Sequence, residues 1–154
     1  PADEVDSAAA SCDAVLVGFH RSFDYEGLRR AATAIRNGAR LIAANDDATY
    51  PTPDGPIPGG GSILAAVEVA SGQRAVIAGK PYEPMATLVR SIIGADTSHA
   101  VMVGDRPDTD GRFARRLGCR SAHVWSGVTR VGESLDPTPD MLGRDLADIV
   151  DQLL

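Results

Sequence analysis

Short apolar runs that lack a period of two recur along this chain: AVLVGF over 14–19, ARLIAAN over 39–45, RAVIAG over 74–79, HAVMVGD over 99–105 and RSAHVWSG over 120–127. A strand with one face in water alternates apolar and polar residues, whereas a strand apolar at successive positions is covered on both faces. Helical patterns separate these runs. Residues 24–38 place Tyr25, Leu28, Ala32 and Ile35 on one face, with Asp24 positioned to cap the start and Gly38 to end it. Residues 62–72 run from a Ser to a Gly, and 83–94 carry Pro84 in the first turn and Gly94 as a stop. Further helices are expected over 110–118, closed by Gly118, and over 145–154. Apolar strands alternating with helices predict an α/β fold built on parallel sheets. Residues 46–61, dense in Pro, Gly and Asp, read as a long loop, and the polar, Ala-rich residues 1–12 read as a frayed or linker segment.

Composition narrows the class. The chain has 154 residues, 44% of them apolar and 23% charged, and a net charge of -6. That is ordinary for a globular protein large enough to bury a core. The acidic balance, with no cluster of basic residues, argues against a nucleic-acid partner. No apolar run approaches the length of a membrane span, and no secretory signal is visible, so neither a membrane partner nor export is expected and the reading is cytoplasmic. Cys12 and Cys119 stand alone and read as reduced thiols. Of 15 basic residues only Lys80 is a lysine.

That lysine lies at a strand end, in AGKP over 78–81, and another strand end runs into VGDRPDTD over 103–110. In open parallel sheets ligands bind beyond the carboxyl ends of the strands. Asp105, Asp108 and Asp110 could each simply cap a turn or a helix, and any one of them alone supports either reading. Together with Lys80 at a neighbouring strand end they suit a phosphate and Mg²⁺. The metal takes one or two carboxylates and keeps other positions for water and phosphate oxygen, and a lysine offers a compact charge to a phosphoryl group.

At these residues the sequence resembles the haloacid dehalogenase-like hydrolase superfamily, in the branch of the NagD-type nucleotide phosphatases, 4-nitrophenylphosphatases and glycerol-phosphate phosphatases. GKP at 79–81 matches the third motif of that family, and GDRPDTD at 104–110 the fourth. Residues 13–28 and 38–72 look like its large cap domain, and 117–129 like the strand after the fourth motif. The resemblance covers about 140 residues and implies a Rossmann-like (HAD-like) core half, 79–154, preceded by an α/β cap domain, 13–78. It implies that Asp105 ligates Mg²⁺, that Asp110 orients it or its waters as a catalytic carboxylate, and that Lys80 acts in catalysis and phosphate binding. Asp108 stands where the family varies and takes no role. Asn45, Asp46 and Asp47 sit where the family has Asn-Pro-Asp at the cap edge, so they are expected to bind substrate, with Asp46 replacing the proline.

The family's catalysis begins with an Asp-x-Asp pair after the first core strand: an attacking nucleophile and a general acid–base. The strand over 14–19 has none at its end. Asp24 and Glu26 lie at a helix start, where capping explains them better. The expectation is therefore a fragment, a cap plus the second half of a phosphatase core, inactive alone. In full it would hydrolyse small phosphorylated metabolites through an aspartyl-phosphate, glycerol 3-phosphate being preferred because carboxylates at the cap edge disfavour polyanions. A homodimer through the cap is a further expectation. The alternative is a non-catalytic cap, serving dimerisation or ligand binding in a degenerate relative. A receiver-like domain using Asp105 alone lacks the acidic pair it needs near the first strand. His20, His99 and His123 lack metal-ligand spacing and read as structural. PGGGS over 58–62 reads as loop-to-helix packing, since it lacks the full P-loop pattern.

Overall fold

A computed structural model describes residues 12–154; the expected frayed segment over 1–12 falls outside them save for Cys12. The chain divides into two compact units, Pro1–Gly79 and Lys80–Leu154.

The first unit contains β1 (Ala14–Val17), α1 (Tyr25–Arg36), β2 (Arg40–Ala43), β3 (Thr49–Tyr50), β4 (Ile57–Pro58), α2 (Gly60–Ser71) and β5 (Val76–Ile77). Strands β1, β2 and β5 form a parallel sheet in that order. Asp24 starts α1 by accepting the Gly27 N–H at 2.7 Å, while Glu26 pairs with Arg29 at 2.6 Å, so both acids serve the helix. Val17, Ile35, Leu41, Ala43, Leu64 and Val67 form the core, which places α1 and α2 on one face of the sheet. The other face departs from the sequence expectation. Leu16 is 79% exposed there, so among the described residues this sheet is covered on one side only. The expected loop over 46–61 carries a short antiparallel hairpin, β3 with β4, turned at Thr52–Gly55. Tyr50 stacks on Phe19 at 4.7 Å.

The second unit contains α3 (Glu83–Ile93), β6 (Val101–Gly104), a π turn (Pro107–Gly111), α4 (Arg112–Leu117), β7 (Arg120–Val124), β8 (Met141–Gly143) and α5 (Leu146–Leu153). Strands β6, β7 and β8 are parallel. This sheet is covered on both faces, as the unbroken apolar runs require, although Ser121 and His123 of β7 are buried polar residues on one of them. Met102 faces Ala86, Phe113 and Leu117 of α3 and α4, and Val101 and Val103 face Ile149 of α5. No helix among the described residues is long and apolar enough to cross a membrane.

Candidate active site

Strand β6 ends at Gly104, and the chain then makes the wide π turn. The carbonyl of Arg106 accepts the N–H of Asp110 at 2.7 Å, and the turn folds the Asp110 side chain back over the strand end. There one carboxylate oxygen accepts the backbone N–H groups of Asp105 and Arg106, each at 3.2 Å, and the other accepts Lys80 Nζ at 2.8 Å. Asp110 therefore does not cap α4. It is buried and joins the two strand-end motifs. This needs a glycine at 104, since a Cβ there would lie 2.2 Å from the Asp110 carboxylate. Removing the Asp110 carboxylate would leave the N–H groups of Asp105 and Arg106 without this acceptor, at a cost of about 1–3 kcal/mol, while the Lys80 ammonium, 42% exposed at its side chain, would turn to water.

Asp105 follows Gly104 at the same strand end and is half-buried. The N–H of Val128 donates to its Oδ2 at 2.6 Å, and the Thr129 hydroxyl donates to its backbone carbonyl at 2.6 Å. A Cβ at residue 127 would lie 2.0 Å from that carboxylate, so Gly127 lets the loop after β7 close on it. One oxygen of Asp105 is thus fixed while the carboxylate stays half-accessible. That suits a single anionic ligand of a hard cation that completes its shell with water and phosphate. No group of three or more His, Cys, Asp or Glu able to hold a metal occurs among the described residues, so Asp105 fits one position in a shell and not a protein-only cage. Asp108 is 61% exposed at its side chain and lies 3.9 Å from Arg106.

His123 lies below this centre. It pairs in register with Gly104, so its ring shares the sheet face over which Asp110 folds. It is 4% exposed, packs edge-on against Trp125 at 4.6 Å, and its Nε2 has no partner. Burial pushes its pKa down, against the opposing pull of the Asp105 and Asp110 carboxylates.

In the first unit Asn45, Asp46 and Asp47 follow β2. The glycines of PGGGS wrap this segment: the Gly61 N–H donates to the Asp47 carbonyl at 2.8 Å, and the Ser62 hydroxyl to the Ala48 carbonyl at 2.7 Å. That run is packing, as its sequence suggests. The Oδ1 of Asn45 is buried with no partner. Sequence reasoning identified Lys80, Asp105 and Asp110, which the second unit brings together. It missed Gly127, Val128 and Thr129, whose backbone and hydroxyl donors hold Asp105. The Ser-Gly-Val-Thr following β7 was the available signal.

A parallel α/β unit in which one lysine and two aspartates meet beyond the end of β6 defines the class to which the chain is referred. The chain belongs to the haloacid dehalogenase-like hydrolase superfamily. Residues 77–149 match the HAD-hydrolase-like family. It is 35% identical to human chronophin over 96% of this chain and 53% of that protein. It is 38% identical to the D-glycerol 3-phosphate phosphatase of Mycobacterium tuberculosis, over 89% of this chain and 39% of that one. The solved p-nitrophenyl phosphatase from Archaeoglobus fulgidus matches with a TM-score of 0.84 at 32% identity, over 94% of this chain and 58% of that one. The chain thus spans about half the length of these relatives.

Proposed function

We propose that this chain is the cap, 13–78, and the second half of the core, 79–154, of a Mg²⁺-dependent phosphatase for small phosphomonoesters. The observation that carries the reading is the strand-end centre, in which Asp110 ties Lys80 to the Asp105 loop at 2.8 Å and 3.2 Å. Lys80 holds a compact positive charge where negative charge grows on a transferring phosphoryl group. Asp110 fixes the lysine head and, through two amides, the backbone of Asp105 and Arg106. Asp105 would hold the Mg²⁺, which when bound neutralises phosphate charge. The attacking aspartate of an aspartyl-phosphate route, and the acid that protonates the leaving oxygen, lie outside the centre described. Asp105 and Lys80 can hold a metal and a phosphate but supply neither. The loop Asn45–Asp47 is the substrate-facing part of the cap, and glycerol 3-phosphate is the favoured substrate. The name of the mycobacterial relative supports that choice.

Steady-state kinetics of the complete protein on 4-nitrophenyl phosphate test this. Lys80→Met should lower kcat by about 10²–10³-fold with little change in KM, because the ammonium acts on charge that develops in transit. Lys80→Arg should recover little, since a planar fork does not fit a point-charge slot. Turnover by Lys80→Met within about twofold of the native protein would remove the proposal, because such a loss is too small for a group at the reacting phosphate.

A further inference from the structure

Lys80 has a flexible stem, and its bond to Asp110 fixes only the ammonium end. The backbone from which it springs is held by a second device. Arg116, in the last turn of α4, donates from Nε to the Pro81 carbonyl at 2.6 Å, one residue beyond Lys80. Its Nη1 donates to Glu83 Oε2 at 3.2 Å, where α3 begins. Glu83 Oε1 in turn accepts Arg90 Nη1 at 2.8 Å, and Arg90 Nη2 donates to the Arg116 carbonyl. Three of these contacts close a ring between α3 and α4, and the fourth ties the Pro81 carbonyl to it. Helix α4 begins directly after the π turn that places Asp110, so one short helix is linked to both members of the Lys80–Asp110 pair.

We propose that Arg116 is a positioning residue that sets the Lys80 backbone relative to Asp110 through its fork to Pro81 and Glu83. This rests on the reading of Lys80 given above. The fork geometry matters: Arg presents Nε and Nη in one plane to a carbonyl and a carboxylate together, which a lysine cannot do. The guanidinium of Arg116, ahead of that of Arg90, holds the Glu83 carboxyl below its ordinary range. Side chains here are 42% and 54% exposed, so the pair contributes little to stability. Its loss should therefore appear in turnover and not in unfolding.

The test compares Arg116→Met, Arg116→Lys, Glu83→Gln with Arg116→Met, and Lys80→Met in the complete protein, reading kcat and KM on 4-nitrophenyl phosphate and Tm. Arg116→Met should lower kcat by about three- to tenfold with KM within about twofold and Tm nearly unchanged. Arg116→Lys should recover less than half of the loss. The double variant should be no worse than Arg116→Met, because both changes break one ring. Arg116→Met at native kcat, beside a Lys80→Met that is severely impaired, would overturn the inference and leave the Lys80 reading standing. A kcat loss that follows a fall in Tm would overturn it too, as a merely structural role. An unimpaired Lys80→Met would remove the reading and the inference together.

Discussion

Lys80 is the only lysine among 15 basic residues, and the arginines do different work. Arg36 donates to the Ala70 carbonyl at 2.8 Å, Arg115 to the Thr138 carbonyl at 2.8 Å, and Arg144 grips the Asp148 carboxylate with two nitrogens. Planar forks tie segments together, while the single point charge stands at the strand-end centre. Asp105 makes a comparable prediction about charge. An asparagine at 105 keeps an oxygen that can accept the Val128 N–H, so the fold should survive Asp105→Asn. The anionic ligand is lost, and calorimetry on the complete protein should find Mg²⁺ affinity at least about tenfold weaker. Unchanged affinity would remove Asp105 from the metal. His123 predicts a pH dependence. Burial lowers its pKa in the folded chain, so below its ordinary value near 6.5 the unfolded chain binds more protons. The stability this residue contributes is complete above about pH 6.5 and declines as pH falls below it. His123→Phe, which keeps an aromatic ring against Trp125, should flatten the fall in urea midpoint between pH 7 and pH 5. An equal fall in both proteins would contradict the assignment.

At the scale of elements, the parallel strands and the main helices are legible because each carries its own pattern. Asp24 caps α1 as its position before an amphipathic run requires, and Gly118 ends α4 with φ at +78°. What escapes the sequence is non-local. β3 and β4 are two residues each, too short for a period, and exist because the Thr52–Gly55 turn brings them together. β8 is three residues long and joins the sheet through β7. The π turn looks like a helix start in letters; only the fold shows that Asp110 turns back over Gly104. The hold of Val128 and Thr129 on Asp105 spans more than twenty residues, and its one local hint is the Ser-Gly-Val-Thr that follows β7. The loop after β2 carries its own prediction. Substitutions at Asn45, Asp46 or Asp47 should reorder preferences among phosphorylated substrates while sparing 4-nitrophenyl phosphate, since this loop lies apart in sequence from the lysine–aspartate centre. Competition assays read this directly, and equal losses on every substrate would place the loop in the chemistry.

At the scale of the molecule, each unit has its own sheet and its own core. The lysine and the two aspartates that meet beyond the end of β6 all belong to Lys80–Leu154, and both aspartates are already engaged. Asp110 is occupied by three donors, and Asp105 is pinned by Val128. Residues that act as a unit in catalysis lose most of the acceleration when one is absent. The direct measurement is phosphate release from 4-nitrophenyl phosphate with Mg²⁺, by the purified 154-residue chain and by the same chain joined to a segment that carries an Asp-x-Asp after an apolar strand. The account predicts no release above buffer from the first and turnover above about 1 s⁻¹ from the second, the ordinary range for enzymes. Turnover at that rate by the 154 residues alone would contradict it, and would place the nucleophile among them.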